Sequence, residues 1–444
     1  MSLSQREKIA SFITLISMLL LAIVPQRSFL PQGALLFNVH LSQIVALAGV
    51  LMCFFLLLPE LKYYHAFKKY IRIAWPLLAY TAVELGFLAY GYLHRFDPGV
   101  LKSFPQSWWF NYTAMLLLLP GVFFLGYAIN WDMKKQARYL LVALGVTTVI
   151  VLGEYLTGNG VANPIGSLVH FLNVNTDRIW QWSPAFESLR VTGLHTAPTL
   201  LAMFTISGMV WALSVDYSRA VRIIIFVDSA LIMLMTASRT EFIAALVLIL
   251  CATVVKIQNH GLKNWMKRSL PVLLFVVVLL VAGAGLYMYK FPSGFSAGLI
   301  TRMDSLDKQA TSSSDAQNRK VLIEKLDSFS SGRVSLWVEA TGVIEEHPLG
   351  SGVPAGFYLN RAHAHNDFIT KYITQGILGI VMLIMMFAWM SGLPDGSHSS
   401  EMGLYFAVAF FVVGLMDCVF AQSSVLLVPL FLMGLNVPRF RCAK

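Results

Sequence analysis

The chain has 444 residues, of which 57% are hydrophobic and 13% are charged, and its mean hydropathy is +0.67. The surface of a soluble globule needs roughly a quarter charged residues, so this composition excludes a soluble protein and predicts an integral membrane protein. The formal net charge of +10 would suggest a nucleic acid partner in a soluble protein. In a membrane protein basic residues first set the orientation, and we therefore expect no nucleic acid partner.

Hydrophobic runs of the length needed to cross about 30 Å of hydrocarbon recur along the whole chain. Twelve are predicted, at residues 10–25, 39–59, 73–92, 108–129, 139–156, 196–214, 221–236, 240–256, 270–289, 367–390, 402–420 and 422–437. The sequence therefore predicts an all-α, polytopic protein with about 12 transmembrane helices, surrounded by membrane lipids.

Through the first nine predicted helices basic residues cluster in every second loop, which is the pattern of cytoplasmic loops under the positive-inside rule, whereas the later loop 391–401 contains no Lys or Arg. The clusters are Lys62, Lys68, Lys69 and Arg72; Lys134, Lys135 and Arg138; Arg219 and Arg222; Lys256, Lys263, Lys267 and Arg268; and Arg439, Arg441 and Lys444. This alternation predicts that both termini are cytoplasmic. The first hydrophobic run lacks a small-residue cleavage site, so we interpret it as a retained helix.

Two segments that face outward, 157–195 and 290–366, are too long for simple connections, and loops of such length usually carry function. They predict three regions: residues 1–289 with nine spans, a loop subdomain at 290–366, and residues 367–444 with three spans and a cytoplasmic tail.

The loop subdomain contains one clear helical pattern, which starts after Ser330-Ser331-Gly332 and stops at His347-Pro348-Leu349-Gly350. Apolar or small side chains recur there at helical spacing, at Val334, Trp337, Val338, Thr341 and Ile344. The pattern predicts an amphipathic helix that lies on the membrane surface or caps the bundle.

The segment 236–241 lies between two predicted spans, and Ser238 and Glu241 have the spacing of a capping box that opens a helix. Arg239 then falls in the first helical turn, where the helix dipole disfavours a cation. An anion bound there with the exposed backbone N–H groups would explain this arginine. A snorkelling interfacial arginine is the alternative interpretation.

Arg333 repeats this arrangement at the start of the loop helix, directly after Gly332. Two guanidinium groups at helix N-termini on one face of the membrane suit a pyrophosphate, because arginine grips phosphate oxygens bidentately. Arg190 is a candidate for a third cation, with an ordinary surface arginine as the alternative.

The richest polar stretch, residues 361–367, leads directly into the tenth predicted span and contains His363, His365 and Asn366. Two histidines at i and i+2 without a cluster of Cys or acidic residues make a zinc site improbable. Imidazole titrates near neutral pH and is a natural general base for a sugar hydroxyl. The alternative is that Asn366 caps the helix and His363 only bonds backbone, and we expect the capping role in either case.

Other polar residues within apolar runs are weaker candidates. Asp228, Glu84 and Asp417 are costly in lipid, but each can pair internally with a Ser, Tyr or Lys. Lys371 is expected to snorkel outward from the tenth span. The chain contains no P-loop, dinucleotide-binding or HExxH motif, so we expect neither nucleotide nor metal cofactors.

Taken together, these residues resemble the O-antigen ligase and polymerase family of bacterial envelopes. The likeness covers about residues 185–380 and rests on Ser238-Arg239, on the sequences SGRVSLW at 331–337 and EHPLGSG at 346–352, and on HAHN at 363–366 followed by QGILG at 375–379. It implies a metal-independent, inverting glycosyltransferase of the bacterial inner membrane with a periplasmic active site. The glycan would pass from undecaprenyl diphosphate to an acceptor hydroxyl.

By the same resemblance Arg239 and Arg333 would hold the diphosphate, and His365 would be the catalytic base. His363 matches the less constant first histidine of the motif, and Ser238 and Asn366 support the site. Within the family, a ligase attaches O-antigen to lipid A–core in lipopolysaccharide biosynthesis, a polymerase joins lipid-linked repeat units or extends a growing glycan, and a related branch glycosylates proteins. The single compact loop and the modest length favour the ligase.

Two other classes of protein with many spans remain as alternatives. Transporters and flippases tend to have paired interrupted helices in two related halves, which the sequence does not reveal, and they have less use for a large outer subdomain. Metal-dependent membrane glycosyltransferases place acidic residues in the first outer loop, and residues 26–33 contain none.

Overall fold

The computed structural model describes residues 3–23, 41–57, 61–93, 106–129, 131–157, 182–183, 188–189, 195, 198–236, 238–260, 333–352, 364–393, 399–420 and 423–437. Within these ranges the chain forms twelve α-helices, one 3-10 helix and one pair of two-residue strands. The helices are α1 (Leu3–Ile23), α2 (Leu41–Leu57), α3 (Leu61–Leu93), α4 (Gln106–Ala128), α5 (Met133–Thr157), α6 (Pro198–Ser214), α7 (Arg219–Thr236), α8 (Arg239–His260), α9 (Arg333–Glu346), α10 (Asp367–Ser391), α11 (Ser399–Met416) and α12 (Leu427–Asn436).

The all-α prediction is confirmed for the described ranges. All but one of these helices coincide with predicted spans; the exception, α9, is the helix predicted within the loop subdomain, and the predicted span 270–289 lies outside the described residues. The two strands, β1 (Trp182–Ser183) and β2 (Ser188–Leu189), pair antiparallel within the predicted loop 157–195.

Four described helices are long and apolar enough to cross a membrane by themselves, over Phe67–Leu93, Met133–Gly153, Thr240–Asn259 and Asp367–Ser391. Several others are apolar but shorter, such as Tyr112–Ala128 and Glu401–Met416. The chain is thus a multi-pass membrane protein. In the described ranges, fewer helices can cross a membrane by their own length and composition than the twelve spans predicted.

Two elements differ from their predicted form. The helix α3 continues without a break through Lys68, Lys69 and Arg72, which were predicted to lie in a loop. The predicted span 422–437 is divided into a 3-10 helix (Ser423–Leu426) and the ten-residue α12. At about 1.5 Å of rise per residue, α12 is only about 15 Å long and does not cross a bilayer unaided.

The centre of the bundle is formed by α12, all of whose residues are buried. It packs most extensively on α4 and also contacts α1, α6 and α11. The approach of α4 and α12 is close because glycines face each other: a Cβ on Gly434 would lie 3.0 Å from the backbone nitrogen of Tyr127 and 3.2 Å from the Cα of Gly126. Small residues at a crossing let two helix backbones approach within a lipid environment.

The helices α3 and α10 run antiparallel and are joined by a buried ion pair. Lys371 Nζ donates to Glu84 Oε1, and Trp389 Nε1 donates to the carbonyl of Ile73 at 2.8 Å near the other end. Both charged side chains are 3% exposed, and the Lys371 ammonium lies over the ring of Tyr80. The expectation that Lys371 snorkels outward is therefore wrong: its partner Glu84, distant in sequence, holds it inside.

We expect Lys371→Met to destabilise the protein by about 3–5 kcal/mol, because the Glu84 carboxylate is left buried without its partner. The double variant Glu84→Gln/Lys371→Met should regain most of this loss, since neither residue then carries a charge. The measurement is thermal or denaturant unfolding of the purified protein in detergent. Lys68→Met, at an exposed position of α3, is the matched control. Equal losses of stability in Lys68→Met and Lys371→Met would contradict the stabilising role of the Glu84–Lys371 ion pair.

Candidate functional site

The helix α10 begins where the sequence predicted, and Asn366 is its N-cap. Asn366 Oδ1 accepts a hydrogen bond from the backbone N–H of Ile369 at 3.0 Å, while its Nδ2 donates to the carbonyl of Leu415 at 2.9 Å. The first bond satisfies one of the helix's unpaired N-terminal donors, and the second ties the cap to the end of α11. The predicted capping role of Asn366 is what the structure shows.

His365 immediately precedes this cap and has a left-handed backbone, with φ of 50°. Its Nδ1 lies 3.3 Å from Asp417 Oδ1, and the two side chains are 26% and 8% exposed. Asp417 Oδ1 also accepts from the N–H of Cys418 at 2.8 Å, which orients the carboxylate. The result is an accessible imidazole held at one nitrogen by a mostly buried carboxylate.

Asp367, the first residue of α10, is fully buried and anchors the chain that carries Asp417. Its carboxylate accepts hydrogen bonds from the backbone N–H groups of Val419, at 2.8 Å, and Phe420, at 3.1 Å. A carboxylate is favoured at this position because it faces the positive end of the helix dipole. These bonds fix the segment after α11 against the start of α10, and so fix Asp417 beside His365.

The helix α9 packs along the first half of α10 and brings Arg333 to the same region. Trp337 Nε1 donates to the carbonyl of Ala364 at 2.9 Å, and Leu336 and Ala340 are buried against Ala364 and Ile373. Arg333 lies one turn before Trp337, beyond the start of α10, and its side chain is partly buried.

The predicted boundaries of α9 are confirmed, but its predicted apolar face is partly wrong. Val338 and Thr341 are exposed, whereas Leu336 and Ala340, with partly buried Val343 and Ile344, form the packed face. The helix therefore packs on α10 through a face that is rotated from the predicted one. The packed face is the one whose side chains are complementary to the surface of α10.

At the start of α8, Ser238 and Glu241 are in contact, but through their side chains, whereas the capping box that their spacing predicted joins each side chain to the other residue's backbone N–H. The Ser238 hydroxyl donates to Glu241 Oε2, the Ser238 carbonyl accepts from the N–H of Phe242 at 3.1 Å, and both side chains are buried. Ser238 is thus the residue before the helix, and Arg239 is its first helical residue. Only the backbone of Arg239 is described.

These helix ends lie at one end of the bundle. The helices α8 and α11 pack together, and Asn259 Nδ2, near the end of α8, donates to Glu401 Oε1, near the start of α11, at 3.4 Å. The two helices are therefore antiparallel, so the start of α8 at Arg239 lies at the end where α11 stops beside Asp417 and His365. With Arg333 placed by α9, the three predicted functional positions lie at this end, which we call the His365 end.

The opposite end of the bundle carries most of the described basic residues. The helices α1 and α5 start there together, since Trp131 Nε1 donates to Ser11 Oγ at 2.9 Å, and α6 ends there, since Trp211 Nε1 donates to Gln136 Oε1 at 3.0 Å. The described basic residues at this end include Arg6, Lys8, Lys134, Lys135, Arg138, Arg219, Arg222 and Lys256, and also Lys68, Lys69 and Arg72 near the start of α3.

Several predicted site residues fall outside the described ranges. His363 and Arg190 lie there, so their predicted roles stay predictions. Of the weaker candidates, Asp228 pairs internally, as expected, but its partner is the hydroxyl of Thr148, which donates to it at 2.5 Å, and not a Ser, Tyr or Lys.

Two carboxylates at the His365 end have contacts that the sequence does not predict. Asp417 is expected to pair with a Ser, Tyr or Lys, but its partner is His365, 52 residues away in sequence. Asp367 has no predicted role, and it binds the segment after α11. The available signal was the position of each acid at a helix terminus, where the backbone is incompletely paired.

The described residues include no group of three or more His, Cys, Asp and Glu side chains placed to hold a metal ion. The polar groups gathered at the His365 end are instead an imidazole–carboxylate pair, one guanidinium and the N-termini of α8 and α10. Such a set can bind an anion and accept a proton.

Residues 224–384 match the protein family described as O-antigen ligase. The match runs from α7 to the middle of α10 and includes Ser238, Arg239, Arg333 and His365, whereas Arg190 and Asp417 lie outside it. No curated protein matches the chain. The resemblance based on the sequence motifs is thereby confirmed over a little more than a third of the chain.

The uneven distribution of basic residues yields a test of orientation. If the His365 end is outside the cytoplasm, a cysteine introduced by Ser335→Cys, at an exposed position of α9, should react in intact spheroplasts with a maleimide that does not cross membranes. A cysteine from Lys135→Cys, at an exposed position of the opposite end, should react only after permeabilisation. The reverse pattern would place the site in the cytoplasm.

Proposed function

Because residues 224–384 belong to the O-antigen ligase family, we propose that this protein is a membrane glycosyltransferase that moves a glycan from undecaprenyl diphosphate to an acceptor hydroxyl at the periplasmic face of the bacterial inner membrane. The preferred acceptor is lipid A–core, which makes the protein an O-antigen ligase of lipopolysaccharide biosynthesis. The observation that carries this proposal is the contact of His365 with Asp417 at the end of the bundle where α8 and α9 begin with Arg239 and Arg333.

His365 is the general base of the proposed reaction. With Nδ1 held by Asp417, Nε2 would take the proton of the acceptor hydroxyl as its oxygen attacks the anomeric carbon. Asp417 stabilises the imidazolium that forms and keeps the ring in one orientation, as carboxylates do in other acid–base pairs. The left-handed backbone of His365 supports this role, because strained residues cluster at functional sites.

The leaving group is the lipid diphosphate, and its negative charge rises as the glycosidic bond breaks. Arg333 and Arg239, together with the positive ends of the helix dipoles at the starts of α9 and α8, would stabilise that charge. Attack by the hydroxyl opposite the leaving group inverts the anomeric configuration. The energy of the transfer resides in the donor, so no nucleotide or metal cofactor is required by this mechanism.

The proposed orientation rests on the distribution of charge. Basic residues gather at the end opposite His365, and the positive-inside rule then makes that end cytoplasmic. The starts of α1, α5 and α7 lie there, which is consistent with a cytoplasmic N-terminus, and the C-terminal arginines at 439 and 441 support a cytoplasmic tail.

A transporter or flippase is the second candidate, and one observation bears on it. The helix α10 is interrupted at Gly376, and interrupted helices are typical of transporters, where their ends face substrate. Here the carbonyls of Ile373 and Thr374 accept hydrogen bonds from Ser351 and Gly352 of the same chain, at 2.8 Å each. The interruption is thus filled by protein, which favours the enzyme.

We expect His365→Asn to lower kcat about 100- to 10,000-fold, the usual contribution of a general base. Asparagine tolerates the left-handed backbone, so this variant removes the base without straining the chain. Arg333→Ala should weaken donor binding as well as lower kcat, and Arg138→Ala, at the opposite end, is the matched control. The measurement is transfer from a lipid-linked glycan to defined acceptors by the purified protein in EDTA.

Full transfer by the His365 or Arg333 variant would remove that residue from the mechanism. Loss of wild-type transfer in EDTA, restored by a divalent cation, would contradict the metal-independent reaction.

The identity of the acceptor can be tested in cells. In a strain lacking this protein, we expect long glycan chains to accumulate on the lipid carrier while the core stays unsubstituted, because a ligase acts after polymerisation. Glycan profiles of lipopolysaccharide and of extracted lipid carrier provide the measurement. Single repeat units attached to the core would identify the protein as a polymerase instead.

A further inference from the structure

Three glycines with left-handed backbones meet where α9 is joined to α10. Gly350 and Gly352, in the turn after α9, have φ of 92° and 70°, and Gly376, within α10, has φ of 59°. At Gly376 the helix α10 leaves helical geometry, with ψ of −149°, before it resumes. Glycine adopts these angles at little cost, whereas other residues are strained there.

The turn after α9 fills the interruption of α10. The carbonyl of Ile373 accepts from the N–H of Ser351 at 2.8 Å and from its hydroxyl at 2.9 Å, and the carbonyl of Thr374 accepts from the N–H of Gly352 at 2.8 Å. In an uninterrupted helix these two carbonyls would accept from residues 377 and 378. The turn thus takes the place of the next helical turn as hydrogen-bond donor.

The two backbones touch with no room for a side chain between them. A Cβ on Gly350 would lie 2.7 Å from the Cα of Gln375, and a Cβ on Gly376 would lie 2.6 Å from the carbonyl oxygen of Leu349. Real Cβ atoms do not approach backbone this closely. We call residues 350–352 together with 373–376 the glycine interlock.

The glycine interlock attaches the turn after α9 to α10. Near the start of α9, Trp337 Nε1 donates to the carbonyl of Ala364, the residue before His365. Leu336 and Ala340 also pack on Ala364 and Ile373. Contacts near both ends of α9 oppose a displacement of this helix along α10.

We propose that the glycine interlock positions Arg333 relative to His365, so that the diphosphate of the donor and the base stand at a fixed separation; this rests on the proposed function. Arg333 begins α9, one turn before Trp337, so a displacement of α9 along α10 moves the guanidinium away from the imidazole. A displacement of about 1 Å in a reacting group can cost on the order of 100-fold in rate. The interruption of α10, which binds the turn after α9, is consistent with this need for a fixed distance between Arg333 and His365.

The test uses Gly350→Ala, whose methyl group must push the turn away from α10. The control is Gly342→Ala, on α9 itself, where an added Cβ meets nothing within 4 Å and the position is exposed. Ser351→Ala is a milder second variant, which removes the hydroxyl bond to Ile373 and keeps the backbone N–H bond. The probe is farnesyl diphosphate, a short isoprenyl diphosphate, and its affinity is measured with the purified full-length protein in detergent.

We expect Gly350→Ala to weaken binding on the order of tenfold, and we expect a similar loss from Arg333→Ala because it removes the proposed phosphate contact. Ser351→Ala should weaken binding less. Gly342→Ala should leave the affinity unchanged. In the Arg333→Ala background, Gly350→Ala should have little further effect, because the group that it displaces is already absent.

If Gly350→Ala weakens diphosphate binding equally with and without Arg333, the proposal is overturned and the interlock is a purely stabilising contact. An unchanged affinity in Gly350→Ala would overturn the proposal in the same way. Hydrogen exchange over residues 333–352 distinguishes a failure of the proposed positioning by the interlock from a failure of the proposed role of Arg333. Faster exchange in Gly350→Ala, combined with unchanged affinity in Arg333→Ala, would show that the interlock holds α9 but that Arg333 does not bind diphosphate, which overturns both the positioning role and the proposed use of Arg333.

Discussion

The arrangement of the site depends on the hydrogen bonds that the buried carboxylate of Asp367 accepts. Within a membrane, backbone groups that leave regular helix must find partners in the protein, because lipid offers none. The chain leaves helix after Met416, and Asp367 accepts hydrogen bonds from the N–H groups of Val419 and Phe420 there. The same bonds set the position of Asp417, and through it that of His365.

A second interruption follows the same rule with different partners. At Gly376 the carbonyls released by α10 are taken by the N–H groups of Ser351 and Gly352. Both interruptions thus satisfy their backbone groups by binding a segment distant in sequence. Each one fixes a functional side chain: the first places Asp417 beside His365, and the second ties α9, which begins with Arg333, to α10.

Charge is also handled differently in the interior of the bundle and at its accessible His365 end. In the interior, Glu84 and Lys371 pair with each other and link α3 to α10, so that two costly groups satisfy one another. At the His365 end, the imidazole is partly exposed while its carboxylate partner is mostly buried. The first arrangement supports the scaffold, and the second leaves a reactive group accessible, which is what acid–base chemistry on an external substrate requires.

The sequence by itself determined the membrane class, the all-α architecture of the described ranges and the start of each helix at the site. Hydrophobic run length, capping residues such as Asn366 and Ser238, and the helix stop at residues 347–350 are local signals, and they act through local backbone hydrogen bonding. The motifs also sufficed to identify the family over residues 224–384.

Tertiary structure alone decided which residues meet. The partner of His365 is 52 positions away, that of Lys371 is 287 positions away, and the packed face of α9 is the one that fits α10. The hydrogen bonds at the interruption near Gly376 likewise come from Ser351 and Gly352, which precede α10 in the chain. Periodicity and capping report what each helix needs from its own neighbours in sequence, whereas the pairing of buried charges and released carbonyls depends on which segments pack together in space.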